Sequence, residues 1–167
     1  MILVVTLLRN WRYIIGFREI VIVLSFVLVI ASVKTIACPL QLPTSTISIK
    51  GYTLTVEIAS TPAARTCGLS NRFELPENHG MLFIYPNLRD RTFWMKDTYI
   101  PLSIAFLDES GRIINLQNMT PMQTDKRYYS SRPAKYAIEV NQGWYDAHEI
   151  VIGDTVEMKL PMVINIQ

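Results

Sequence analysis

Gly80 to Asp108, GMLFIYPNLRDRTFWMKDTYIPLSIAFLD, is the stretch whose reading decides the fold. Its opening run, Met81 to Tyr85, is apolar throughout, too short for an independent helix and suited to a strand buried on both faces. Pro86 and Asn87 then mark a turn, and Arg89, Asp90 and Arg91 bring charge ahead of Phe93-Trp94-Met95. After Pro101, the residues Leu102, Ile104 and Phe106 alternate with Ser103 and Ala105, as in a half-buried strand. Strand, charged turn, aromatic strand, turn and strand suit an antiparallel all-β domain.

Outward from this stretch the short alternating runs continue. Ile47 to Lys50 and Tyr52 to Ile58 flank Gly51 as a hairpin or a bulged pair. Ser60-Thr61-Pro62 opens a helix, because proline loses nothing by lacking an N–H in a first turn, and Gly68 stops it. That helix has only about two turns and needs the sheet to hold it. Arg72 follows it, placed to cap the helix or to reach an anion. Arg112 to Met119 reads as a strand, and residues 118–134 as a polar, irregular loop with docked tyrosines. Tyr136 to Val140 alternates so that Glu139 faces away from Tyr136, Ile138 and Val140. Asn141 is placed to cap a short helix from Trp144 to His148, and Thr155 to Leu160 gives a last strand. Roughly seven short strands with two short helices predict a mainly β fold, a small antiparallel β-barrel or closed β-sandwich.

The front of the chain reads differently. The chain has 167 residues, room for one domain, and its 50% hydrophobic content is concentrated in residues 20–33, IVIVLSFVLVIASV. Arg9, Arg12 and Arg18 precede that run and the small residue Ala37 follows it, the pattern of a secretory signal peptide. The division that follows is a hydrophobic helix in residues 1–37 (a cleaved signal or a retained membrane anchor), a linker over 38–46, and one β-barrel-like domain over 47–167. Export to the periplasm or another extracytoplasmic space is therefore expected, with the membrane reached only through the N-terminal segment. Thr35-Ile36-Ala37-Cys38 also resembles a bacterial lipoprotein box, which would place a lipid on Cys38.

Charge and cysteine usage narrow the function classes. The chain carries 16 basic and 14 acidic side chains. Setting aside four basic and one acidic in residues 1–37 leaves 12 basic and 13 acidic, so the apparent basicity belongs to the targeting segment. Without a clustered positive face, nucleic acid is not an expected partner. Cys38 and Cys67 could pair in an oxidising compartment, although Cys67 reads first as a small buried apolar residue. Two cysteines with His79 and His148 show no ligand spacing, so no metal and no cofactor are implied.

Four segments, GLSNRFELPENHGMLFIYP, FWMKDTYIPLSIAFLDESGRI, AKYAIEVNQGW and HEIVIGDTVEM, closely resemble the prokaryotic family known as domain of unknown function 192. The resemblance covers roughly residues 47–158. It implies a compact β-barrel-like domain, often behind a signal sequence or anchor, and brings no established activity, substrate or cofactor. This chain departs from the family pattern at Asp97, where Asn is usual, at Ser103, where Asp is usual, and at Glu149, where Gly is common.

The densest chemical cluster is Trp94, Lys96 and Asp97. Strand alternation puts Trp94 and Lys96 on one face, an aromatic platform beside an ammonium. That pairing suits a pocket for a sugar or a peptide carboxylate, and equally a core tryptophan with a paired lysine at a barrel rim. Arg91 and Glu139 fall between apolar strand residues and require partners if buried, which makes an Arg91–Glu139 or Lys96–Glu139 pair the expectation. No catalytic residue is assigned. Cys67 with His79 or His148 lacks the helix N-terminus that lowers a thiol pKa, and His148 is expected to pack and hydrogen-bond. The favoured reading is a non-catalytic envelope domain binding a small polar ligand or a partner protein through Trp94, Lys96, Asp97, Arg91 and Glu139. Its alternatives are a hydrolase or transferase using paired carboxylates on envelope glycans, and a membrane-tethered structural or assembly protein.

Overall fold

The structure is a computed structural model that describes residues 38–160 and 165–167. The signal, anchor or hydrophobic helix expected in residues 1–37 lies outside the described residues. The chain forms β1 (Thr44–Ile49), β2 (Tyr52–Ala59), α1 (Pro62–Cys67), β3 (His79–Arg89), β4 (Thr92–Phe93) and β5 (Leu102–Leu107). These are followed by β6 (Ile113–Met119), β7 (Tyr128–Tyr129), β8 (Ala134–Asn141), α2 (Trp144–Ala147) and β9 (Val156–Met158). Seven strands make one sheet in the order β6-β5-β8-β3-β2-β1-β9, and β4 pairs with β7 apart from it.

The mainly β expectation holds, with two corrections to its geometry. β2 and β3 run parallel, with Glu57 opposite Met81 and Ile58 opposite Leu82, while the other pairs of the large sheet are antiparallel. The helix α1 and the connection after it form a crossover, so β3 starts from the same end of the sheet as β2. The sheet also curls as a half-barrel without closing into a full barrel or sandwich. Its two ends touch at one corner, where Arg112 bridges Thr155 and the Val156 N–H donates to the Gly111 carbonyl at 2.9 Å.

Both faces of the central strands are packed. One face gathers Ile47, Leu54, Val56, Ile58, Leu82, Ile84, Ile138 and Val140 under Trp144 and Tyr145 of α2. The other gathers Met81, Phe83, Leu102, Ile104, Phe106 and Ala137 under Ala64, Leu69, Phe93, Met95 and Tyr128. Met81 to Ile84 therefore alternate between two cores, which is why that run carries no polar residue. Each such side chain removed from water contributes about 1.5–3 kcal/mol. Pro86 does not turn the chain: β3 continues to Arg89, and a register shift against β8 between Ile84 and Arg89 absorbs the missing N–H.

Local chemistry fixes the ends of the elements. Thr61 accepts the Ala64 N–H at 3.2 Å as the cap of α1, Pro62 occupies its first turn, and Gly68 ends it at φ 49. Gly143, not Asn141, caps α2, while the Asn141 amide donates to the carbonyls of Leu75 and Pro76. β1 begins at Thr44, so the expected linker contributes to the sheet. Leu40 and Leu42 pack on the core, and Cys38 is disulfide-bonded to Cys67. Cys67 is thus a bridging half-cystine as well as a buried residue.

Candidate functional site

Three consecutive strands place Glu57, Met81 and Glu139 in one row across the sheet, with Ile104 of β5 beyond Glu139. β8 alternation turns Glu139 onto the face covered by α1 and by the segment around Trp94, as the sequence pattern predicts. There the side chain is only 5% exposed. Close approach of the strands deepens this burial. A Cβ added at Gly80 would sit 2.5 Å from the Glu139 carbonyl oxygen, so only glycine lets β3 and β8 meet here.

Above Glu139 is a cavity of about 50 Å³, lined by Arg65, Cys67, Gly68, Ser70, Trp94, Lys96 and Thr98 among others. The segment 92–100 builds its wall by an alternation that breaks once, at Asp97. Phe93, Met95, Thr98 and Ile100 point into the core, while Trp94 and Lys96 stay exposed. Asp97 takes φ 53, and its carbonyl accepts the Asn71 N–H at 2.7 Å, tying this segment to the residues that follow α1. Arg65 is held by the carbonyls of Ser60 and Ile84 at 2.6 and 2.9 Å, so its guanidinium is already engaged in fixing α1 to β3.

Glu139 makes no ion pair with any described residue, and burial alone pushes its carboxyl up to about 8. The expected Arg91–Glu139 and Lys96–Glu139 pairs are both absent among the described residues. Arg91 instead donates to the carbonyls of Ala134 and Asn87 and lies 3.8 Å over the Tyr85 ring. Burial lowers the Arg91 pKa and raises that of Tyr85 to about 12. Lys96 rests 5.5 Å and Arg127 4.6 Å from the Trp94 ring, cation–π contacts at an exposed aromatic. Phe93 and Trp94 also line an adjoining hollow of about 250 Å³ with Thr92 and Arg127.

Of the five residues singled out from sequence, Trp94, Lys96 and Glu139 line one cavity, whereas Arg91 and Asp97 lie outside its lining. Sequence reasoning missed the end of α1, from Arg65 to Ser70, because a helix–glycine junction reads as punctuation and the crossover that brings it over β8 is not a local signal. Arg127 falls within residues 118–134, which the sequence presents only as a polar, irregular loop. Arg72, expected to cap α1 or reach an anion, pairs bidentately with Glu57 beside an open groove of about 720 Å³. That hydrogen-bonded pair raises the Arg72 pKa. His148 packs as expected, stacked on Trp144 with its Nδ1 2.7 Å from the Trp144 carbonyl.

Two solved structures are similar over most of the described domain. One is a protein of Sinorhizobium meliloti 1021 described as a proposed transcription regulator, 31% identical, with a TM-score of 0.67 over 71% of this chain and 96% of that one. The other is a protein of unknown function from Novosphingobium aromaticivorans DSM 12444, 29% identical, with a TM-score of 0.69 over 74% of this chain and 91% of that one. No curated protein matches the chain. The profile of the DUF192 family, described as "Uncharacterized ACR", matches residues 45–158, and with two-thirds of its length inside that match the chain belongs to the DUF192 family.

Proposed function

We propose that this chain is an exported, non-catalytic binding domain whose Glu139 cavity receives one polar end of a small ligand while Trp94 supports the adjoining part. The observation that carries this reading is a buried carboxyl, without an ion-pair partner among the described residues, lining a cavity beside an exposed tryptophan. A ligand group hydrogen-bonded to that carboxyl would contribute about 0.5–1.5 kcal/mol. Among the described residues Glu139 is the sole carboxylate in the cavity lining, which weighs against two-carboxylate hydrolysis. The regulator description of the Sinorhizobium protein finds no support in charge, since residues beyond 37 carry 12 basic and 13 acidic side chains.

Two features support export: the basic-then-apolar front end and the Cys38–Cys67 disulfide, which persists in oxidising compartments. A thioether lipid on Cys38 and this disulfide exclude one another, so the bridge favours an unlipidated Cys38. Intact mass of the exported product separates these cases.

Thermal-shift screening of the wild type and Trp94→Ala against sugars, amino acids and cell-wall fragments tests the binding reading. A ligand present at 100 times its Kd stabilises by about 2.7 kcal/mol, well within reach of the assay. At least one class is expected to stabilise the wild type and to lose its effect in Trp94→Ala. Identical, ligand-insensitive melting of both proteins across the panel refutes it.

A further inference from the structure

We infer that the group entering the Glu139 cavity is a carboxylate, the acidic end of a small ligand such as a uronic acid or an amino acid, hydrogen-bonded to a protonated Glu139. This rests on the binding reading above and names the ligand chemistry of the same site. Size gives the first argument. A cavity of about 50 Å³ is a few times the roughly 10–15 Å³ that one water needs, so it takes the small polar end of a ligand. The rest of any ligand must lie outside, against Trp94 and the hollow of about 250 Å³ beside Arg127.

The second argument is the state of the floor. Glu139 is packed between Met81 and Ile104 and has no ion-pair partner among the described residues, and a carboxyl in such surroundings keeps its proton. The charged and titratable groups around it leave that state in place. Arg65 of α1 is engaged with carbonyls, and Lys96 rests on Trp94. Tyr85 of β3 and Tyr145 of α2 are themselves raised by burial, Glu57 of β2 is paired with Arg72, and β5 contributes no titratable group. The floor therefore offers an O–H donor.

The rim supplies the third argument. Neither Lys96 nor Arg127 has a carboxylate partner among the described residues; both sit at Trp94, Lys96 in the lining of the cavity and Arg127 in that of the adjoining hollow. An ammonium tip would meet like charge from Lys96 and Arg127. A hydroxyl tip would leave both rim cations unanswered. A carboxylate satisfies floor and rim together, accepting from Glu139 below and attracting Lys96 and Arg127 above.

The test uses the full chain in detergent micelles and three probes of one size: acetate, acetamide and ethylammonium. Binding is read from the amide signals of Gly68 to Ser70 and the Trp94 indole at pH 6.5 and pH 9.5. Acetate is expected to give saturable shifts there and to weaken about 30-fold at the higher pH, as a Glu139 proton bound up to about 8 is lost. E139Q, which keeps a donor of the same shape, should retain acetate binding and lose most of that pH dependence. K96A should weaken acetate several-fold at both pH values. Preference for acetamide or ethylammonium at these same signals overturns the carboxylate assignment and leaves the binding site standing. Dispersed, unsaturable shifts with all three probes overturn the assignment, and joined to an empty thermal-shift screen they overturn the binding reading as well.

Discussion

Replacing Glu139 by glutamine isolates the physics on which the site depends. The carboxyl starts from 4.5 and is raised by burial to about 8 in the folded protein. It therefore binds more protons folded than unfolded, so its stabilisation is complete below about pH 4.5 and is lost as pH climbs through 8. At about 1.4 kcal/mol per tenfold in proton affinity, the full loss is about 5 kcal/mol, of which about 4 kcal/mol falls between pH 5 and pH 9. E139Q cannot titrate, and every other group is common to both proteins. Guanidinium unfolding of the wild type and E139Q at pH 5, 7 and 9 is thus expected to show E139Q gaining on the wild type by that amount across the range. A ¹³C titration of the carboxyl gives the same quantity directly. If the stability difference stays flat between pH 5 and pH 9, Glu139 is solvated or paired in solution, and the account of the cavity fails with it.

Three further outcomes follow from the packing. Gly80→Ala forces a Cβ to within 2.5 Å of the Glu139 carbonyl oxygen, backbone that cannot yield as a side chain does; a loss of about 3 kcal/mol or more, read by denaturant midpoint, is expected. Cys38→Ser removes a bridge spanning 29 residues, for which loop closure alone gives about 3–4 kcal/mol, and a non-reducing intact mass should first show the wild type two hydrogens lighter than its reduced form. Glu149→Gly should raise stability by about 0.5–1 kcal/mol, a melting rise of a few degrees, because Glu149 sits at φ 53; an unchanged or lower melting temperature counts against that geometry.

What the sequence made legible was local. Met81 to Tyr85 announced a strand between two cores because each face demands an apolar residue and no polar one survives. Thr61-Pro62 and Gly68 bounded α1 through capping chemistry that depends on near neighbours alone. The outward placement of Glu139 relative to Ile138 and Val140 followed from the two-residue period of a strand. The parallel β2–β3 pair was hidden because strand direction is set by where α1 and the chain after it return, and no residue pattern encodes that path. Pro86 was misleading for a related reason: proline marks a turn only when the neighbouring strand cannot shift its register, and β8 does shift. Arg91 looked like a partner for Glu139 by its position among apolar residues, yet its length lets it reach back to Asn87, Tyr85 and Ala134 instead.

The three departures from the usual family residues are accounted for by backbone geometry. Asp97 occupies the left-handed region at φ 53, where asparagine is at home and aspartate is tolerated for the same short polar side chain. Glu149 stands where α2 ends with the Ile150 N–H on the Tyr145 carbonyl and its own N–H on Asp146, the position that glycine usually fills in such a terminus. Ser103 accepts the Gly143 N–H at 3.1 Å and donates to Asn118 at 2.6 Å, so its hydroxyl anchors the turn into α2 as a carboxylate there could. Asp97, Ser103 and Glu149 all lie outside the lining of the cavity. The exchanges thus bear on turns and helix ends, while the groups that would meet a ligand, Glu139, Lys96 and Trp94, sit on a scaffold that these departures leave in place.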